Sequence, residues 1–526
     1  MLVARSARAD DDPVAMAPGT FGDPAHDLEL SPSFLLVPAD DVPTGIAIRD
    51  ADPTRVKIFV DGFAVPNQLV NGRAVFLGGD ISQFRAFDNG MDLAYGGATG
   101  GGLEITTRDP TSSFLTLGAT PQDATLTMSQ PGQAVEGIRF GFFTPRRGHP
   151  LDVDWHDHLD GQVRWLFRLS PHWQLALSGF GMVVTNNSFA RDTATAIYRN
   201  GPTSAILAVS GMWLTYSGNT LLDTRADIRH RVHDVAGLPQ LELRGGASTS
   251  TTIGDTTSFD GGAWASLTAM LGKEVAALGG ARLDIFDQQV ALSPRGMIAA
   301  VIDHMGYAIS ASTYRQAQID RDATPERATE ITATMSRTFA VGRISLIGYY
   351  IDRSRILVDG RATGVGTAQG LELREQVRQG AWLFHLAVAY SQATRADRLT
   401  AVDHPADLDV PIRIDALAQW RHGDWLVGGR AQIRSGLPYT PVAGAVYDAD
   451  TDTYSALYGK PNSERAPWRH ELDLRVDRQL MPRLHAYLDV AIDGGTLGYT
   501  YSYDYTQQLA VRAVPILPWL GITGTL

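Results

Sequence analysis

The chain has 526 residues, a formal net charge of −12 and no cysteine. That length holds two or three ordinary domains or one very large one, and without a thiol there is no disulfide scaffold, thiolate zinc site or cysteine nucleophile. The acidic balance, with no basic patch to neutralise phosphates, argues against a nucleic-acid partner, and no apolar run of about 18 residues marks a membrane-spanning helix.

Residues 1–30 are rich in Asp, Pro and Ala and are expected to be poorly ordered. Ala7-Arg8-Ala9 ahead of Asp10-Asp11-Asp12 reads either as the remnant of a processed leader or as a chance alanine-rich terminus. Residues 31–110 read as a compact unit of short strands and turns, with strands expected at 46–49, 56–60, 74–77, 81–86 and 103–107. The second of these runs V-K-I-F-V into an Asp61-Gly62 turn closed by Pro66. The last follows the cluster Y-G-G-A-T-G-G-G, where glycine permits positive φ and close backbone approach.

From residue 111 onward, segments of alternating apolar and polar residues follow one another, separated by turn residues. In Glu471-Leu472-Asp473-Leu474-Arg475-Val476-Asp477 every even position is apolar and every odd one charged. A strand puts those sets on opposite faces. Residues 223–232 repeat the pattern with Asp223, Arg225, Asp227, Arg229 and Arg231 on one face, and residues 412–420 oppose Arg413, Asp415 and Gln419 to an apolar set. There are about 20 to 22 such segments, longer than the usual five or six residues of a globular strand. Strands of about ten residues suit a tilted membrane crossing, and in lipid such a sheet must close. Trp155, Trp165, Trp213, Trp382, Trp420, Trp468, Trp519, Tyr349 and Tyr350 sit near segment ends, as interfacial girdles require. The expectation is an all-β chain: a large antiparallel transmembrane β-barrel of about 22 strands. The alternative, a soluble all-β propeller, calls for a blade repeat of about 40 to 50 residues, and none is found.

Several local patterns carry chemistry in other settings. Asp154, His156, His158 and Asp160 alternate with N and O donors that suit a transition metal, although a solvated loop or strand turn reads better. Asp448-Ala449-Asp450-Thr451-Asp452 opens like a calcium loop, but Thr453 replaces the needed glycine and Gly459 the closing glutamate. The glycines from 97 to 102 precede no lysine and open no helix, so they are a tight turn rather than a phosphate cradle. No nucleophile elbow or His-Glu-x-x-His occurs. No metal, cofactor or catalytic residue is assigned, and the chain is not expected to be an enzyme. Arg225, Arg229, Arg231, Arg413, Asp415, Arg475 and Asp477 are candidate lumen-lining residues that hold an internal domain, line a substrate path, or simply solvate the wall.

Phe59-Val60-Asp61-Gly62-Phe63-Ala64-Val65-Pro66 resembles the plug strand of TonB-dependent outer-membrane receptors, which ends Asp-Gly-x-x-x-Pro. Residues 81–87 with Gly90, then Tyr95-Gly96, Gly100-Gly101 and L-E-I-T-T-R at 103–108, resemble the plug's closing elements. Pro18-Gly19-Thr20-Phe21-Gly22-Asp23 is similar to plug openings in a subgroup of these receptors. Toward the C-terminus, S-G-L-P-Y-T-P at 435–441, Tyr458-Gly459 and Asn462-Ser463-Glu464-Arg465 resemble the long loop ahead of the final barrel strands, and residues 515–522 resemble the closing strand. The sequence departs from the pattern at Asp50, where the plug usually has glycine, and at Leu526, where an aromatic is usual; no coupling segment is recognisable before Pro18. The resemblance implies a disordered segment at 1–30, a mixed plug domain at 31–110 and a barrel at 111–526 with the plug inside it. Asp61, Gly62 and Pro66 then set the plug turn, and Tyr95, Gly96, Gly100 and Gly101 its last hairpin. It also implies a place in the bacterial outer membrane among its lipids, and uptake of a scarce, bulky small-molecule ligand such as a metal chelate, driven by the TonB energy-transducing complex. A non-transporting barrel descended from such receptors, with a structural or partner-binding role, is the alternative.

Overall fold

The computed structural model describes residues 28, 30–39, 42–67, 81–87, 92–111, 113–119, 123–131, 134–141, 144–145, 153–154, 158–183, 188–215, 217–235, 237–254, 257–318, 324–400, 402–512 and 516–525. The readings at 1–27, at 74–77, at Gly90 and at 155–157 lie outside those residues.

Residues 30–110 carry six short strands: β1 Phe34–Ala39, β2 Val42–Ile48, β3 Lys57–Val60, β4 Phe63–Val65, β5 Ile81–Phe87 and β6 Gly102–Thr107. β1 and β2 form a hairpin; the others form a mixed sheet in the order β4-β3-β6-β5, with β3 parallel to β6. Apolar side chains from both sheets meet in one core of Phe34, Leu36, Ile46, Ile48, Ile58, Val60, Leu103 and Ile105. The β3–β4 link is the Asp61-Gly62 turn, with Val60 opposite Phe63 and φ of +49° and +94° at the two turn residues. Positive φ at both positions defines a type I′ hairpin, for which Asp-Gly is a preferred pair.

Beyond Pro110 the described residues form a closed antiparallel barrel. It runs from Phe114–Ala119 through consecutive hairpins to Ile516–Thr525, which pairs back onto the first strand with Ile522 opposite Ala119. Twenty-two strands complete the ring; Asp403–Pro405 only extends the wall where Trp382–Asp397 outruns Ile412–His422. An even strand number leaves both ends of the barrel at one rim. At that rim the connections are two to four residues, from 131–133 to 482–483; at the other they include 142–157, 398–411, 435–468 and 495–515. Short turns face the periplasm and long loops the exterior in such barrels. Six of the outer connections still have five residues or fewer, such as 287–288 and 359–360.

The alternation resolves into lipid and lumen. Leu472, Leu474 and Val476 are exposed on the outer face, while Asp473 and Arg475 between them are buried. Ile298, Ile309, Leu371 and Leu488 continue the apolar exterior, with Trp165, Trp173, Trp213, Trp382 and Trp425 exposed toward its margins. Apolar side chains facing outward all round a closed sheet are stable only in a bilayer. Tyr349 corrects the girdle reading: it points inward, buried, with the Arg49 guanidinium 3.7 Å from its ring centre.

Candidate functional site: the plug and its anchorage

The two sheets of residues 34–107 share no strand pairing with the barrel among the described residues. Side chains hold the plug instead. Lacking bulk to bury along a wet lumen, the wall presents charges, and the plug supplies their opposites.

Toward the outer rim the bend after β2 carries Arg49 and Asp50. Arg49 pairs with Glu330 at 2.7 Å and Glu372 at 3.0 Å. Asp50 accepts two bonds from Arg353, at 3.0 and 3.1 Å, and one from Arg395 at 2.7 Å. Burial alone raises a carboxyl pKa; here the guanidiniums of Arg353 and Arg395 overcome it and hold Asp50 well below the usual carboxylate range. Arg55 bonds Glu326 at 3.0 Å, and the Thr99 hydroxyl donates to the same carboxylate at 2.6 Å. Arg353 also donates to the Thr99 carbonyl at 2.5 Å, and Gln316 receives the Thr99 N–H at 3.1 Å. Beside this anchorage lies a cavity between plug and wall, lined by Ser33, Arg49, Asp50, Tyr349, Glu372 and Asp409 among others.

Deeper in the lumen the predicted plug residues fall into contact with the wall. The Asp61 carboxylate receives the Thr107 N–H at 2.9 Å and its hydroxyl at 2.6 Å, and pairs with Arg164 at 3.2 Å. It thus ties the turn to the end of β6 and to the barrel together. The Gly62 carbonyl accepts from Arg225 at 3.0 Å, and Pro66 follows the end of β4. Tyr95 packs 4.4 Å from Phe59 and 5.3 Å from Phe87, centroid to centroid, with Arg225 over its face at 4.6 Å. Its hydroxyl donates to Glu104 and its carbonyl accepts from Arg295 at 3.2 Å. Desolvation, opposed by Arg225 and reinforced by Glu104, pushes the phenol far above its ordinary pKa, so Tyr95 stays neutral. A Cβ at Gly96 would enter Arg282 and Asp284, and one at Gly100 would press within 2.9 Å of the Arg55 carbonyl. Gly101 has φ +96° with the Phe87 carbonyl directly above it.

The lumen candidates divide by what they touch. Arg225 and Arg413 reach the plug, the latter donating to the Phe34 carbonyl while held by Asp415 at 2.8 Å. Arg475 and Asp477 interact within the wall at 3.5 Å, with Asp489 3.6 Å from Arg475. Arg229 and Arg231 share Glu242 near the periplasmic turns, at 3.5 and 2.6 Å. Residues that the sequence reading passed over bear most of the anchorage: Arg353, Arg395, Glu326, Glu330, Glu372 and, on Asp92 at 2.9 Å, Arg244. Each lies at an inward position of an alternating strand, the one signal available for them.

Above the barrel two hairpins, Val442–Asp448 with Thr453–Tyr458 and Thr496–Tyr501 with Gln508–Arg512, stand side by side. Tyr439 packs 5.0 Å from Tyr499, and Tyr454 packs 5.0 Å from Tyr447 and 5.9 Å from Tyr503. The segment from Asp448 to Asp452 is the turn of the first hairpin, its Asp448 carboxylate accepting the Asp450 N–H at 2.9 Å. The Asp154–Asp160 alternation is split by the undescribed residues 155–157.

No family model and no curated protein matches the chain. Solved structures do. The outer-membrane transporter YddB from Escherichia coli superposes with a TM-score of 0.74, at 10% identity over 97% of this chain and 96% of that one. The FrpB iron transporter from Neisseria meningitidis gives 0.71 at 12% identity, covering 96% of both. The siderophore receptor PirA from Pseudomonas aeruginosa gives 0.69 at 11%, again covering 96% of both. This is the plug-and-barrel fold of the TonB-dependent outer-membrane receptors. The apolar exterior and the fold together place the barrel in an outer membrane. The aligned proteins are transporters and receptors rather than enzymes.

Proposed function

We propose that this receptor-fold barrel imports a scarce, bulky small-molecule ligand, of the metal-chelate class, by movement of its plug under the control of the TonB energy-transducing complex. One observation carries the reading: the plug fills the lumen but is fastened by side-chain hydrogen bonds and ion pairs, with no backbone ladder to the wall. Such contacts can be exchanged for water without tearing a sheet. The tyrosine-rich hairpins over the mouth offer a surface for first capture, and the arginines and carboxylates at 225, 413, 415, 475 and 477 a charged path below. Structural neighbours described as an iron transporter, a siderophore receptor, a copper transporter and a ferric citrate transporter support the ligand class. The short outer connections favour a second reading, a barrel that binds a partner without transport. Uptake of radiolabelled ferric chelates separates the two, measured in cells expressing the protein with and without the transducer and with an uncoupler. Accumulation that requires the protein, the transducer and the proton-motive force supports import. Surface binding without such accumulation across the chelate panel assigns the second reading.

A further inference from the structure

Three arginines stand together on the outside of the barrel. Tyr314 and Ala328 belong to the core against the plug and Gln316 touches Thr99, so Arg315 and Arg327, which alternate with them, point away from the lumen. The two lie directly opposite each other on adjacent antiparallel strands, Met305–Gln316 and Glu326–Phe339. Cβ atoms so placed are about 5 Å apart, and like charges there repel. On the next strand the ladder is irregular between Ser354 and Ile356, and Arg355 sits in that irregularity with φ +65°. Its charge and that of Arg327 both act on Arg315. Arg327 donates to the Thr329 hydroxyl at 3.3 Å, a neutral partner. Among the described residues none of the three forms an ion pair, and the Arg315 Nε and Nη1 atoms are out of solvent with no hydrogen-bond partner.

Their height is set by the strand they share. Outward positions below Arg327 are Thr329, Ile331, Ala333 and Met335, and the next is Arg337. Ten residues at about 3.4 Å, tilted as barrel strands are, rise about 25 Å, which is the height of an outer-membrane apolar band. Ile309 and Tyr350 extend that band beneath Arg315 and Arg355, both exposed. Arg315, Arg327 and Arg355 therefore lie at its outer margin, where the headgroups of the outer leaflet begin. Three guanidiniums without carboxylates, at that level and facing lipid, need an anion, and the planar fork of arginine matches phosphate oxygens in pairs.

We infer that Arg315, Arg327 and Arg355 form a site on the outer wall for the phosphate of an outer-leaflet glycolipid. The lipid neutralises the cluster, completes the orphaned Arg315 donors and fixes this wall segment beneath the 317–325 connection.

The test uses the purified full-length barrel in a non-ionic detergent, with bis-phosphorylated lipid A as probe and native mass spectrometry as readout. The native protein is expected to retain lipid A, and the Arg315→Gln, Arg327→Gln, Arg355→Gln triple variant to bind it about tenfold more weakly, while the triple lysine variant recovers part of the loss. Heat-modifiable migration reports whether each variant is folded; Arg315→Gln alone, with about a threefold loss expected, serves if the triple variant is not. Dephosphorylated lipid A should bind the native protein no better than lipid A binds the glutamine variant. Equal binding of lipid A by native and glutamine proteins, or equal binding of the phosphorylated and dephosphorylated lipids, overturns the site. Inorganic phosphate alone binding as tightly as lipid A overturns the lipid assignment in favour of a free anion.

Discussion

Asp50 stands where a plug of this fold usually has glycine, and it is the most fully enclosed charge of the plug, facing Arg353 and Arg395 across the seam. A carboxylate in that position is stable only because both guanidiniums are there, since desolvation acts against it. Removing its charge leaves two buried arginines without their partner, at a cost of about 3–5 kcal/mol. Asp50→Asn is therefore expected to let the plug leave the barrel at lower urea, read by protease cleavage of the plug within an intact barrel. The pH dependence follows from the direction of the shift: the folded-state pKa lies below the unfolded value of about 4. The stabilisation from this group is complete above that value and fades only as pH falls toward the folded one. The difference between native and Asp50→Asn urea midpoints should hold steady from neutral pH down to about pH 4 and shrink in stronger acid. A variant with the native midpoint at neutral pH would remove Asp50 from the anchorage.

The barrel strand Arg469–Met481 shows what an element records of its surroundings. Leu474 faces lipid near the middle of that strand, whereas Asp473 and Arg475 face the lumen. Leu474→Arg is expected to cost about 2–4 kcal/mol and to lower the folded fraction in heat-modifiable migration, while Arg475→Leu, which leaves Asp489 short of a partner, is expected to fold with a smaller loss. Equal effects from the two would contradict the assignment of faces. This same contrast made the barrel legible in the sequence: one face meets hydrocarbon, the other water and the plug, and a period of two records the difference. β1 escaped because both its faces are covered, Phe34 and Leu36 by the plug core and Leu35 by Ala47 and Leu408, so F-L-L-V carries no alternation. The outer hairpins escaped because neither of their faces meets a core; Tyr503 is 85% exposed. The Asp61-Gly62 turn was legible because its chemistry is local. The partners of Asp50 were not, being about three hundred residues away along the chain and specified only by ring closure.

At the scale of the molecule, a plug of two small sheets sits within a ring whose backbone bonds are all its own. The ring can keep its shape while the plug shifts, because no ladder passes from one to the other. Transport through it then requires the Thr99–Gln316 contact at the outer end of the plug to open, since that contact joins the plug to the Met305–Gln316 strand. The native chain has no cysteine, so a pair introduced at Thr99 and Gln316 can be joined by a short reducible cross-linker without competing thiols. Joining them is expected to abolish energy-dependent ligand accumulation in cells, to leave ligand binding at the surface within about twofold of the unlinked protein, and to be reversed when the linker is reduced. The single variants control for the substitutions themselves. Accumulation that persists with the linker in place would mean that the ligand passes without displacement of this end of the plug, and the moving part would have to be sought nearer Asp61 and the periplasmic rim.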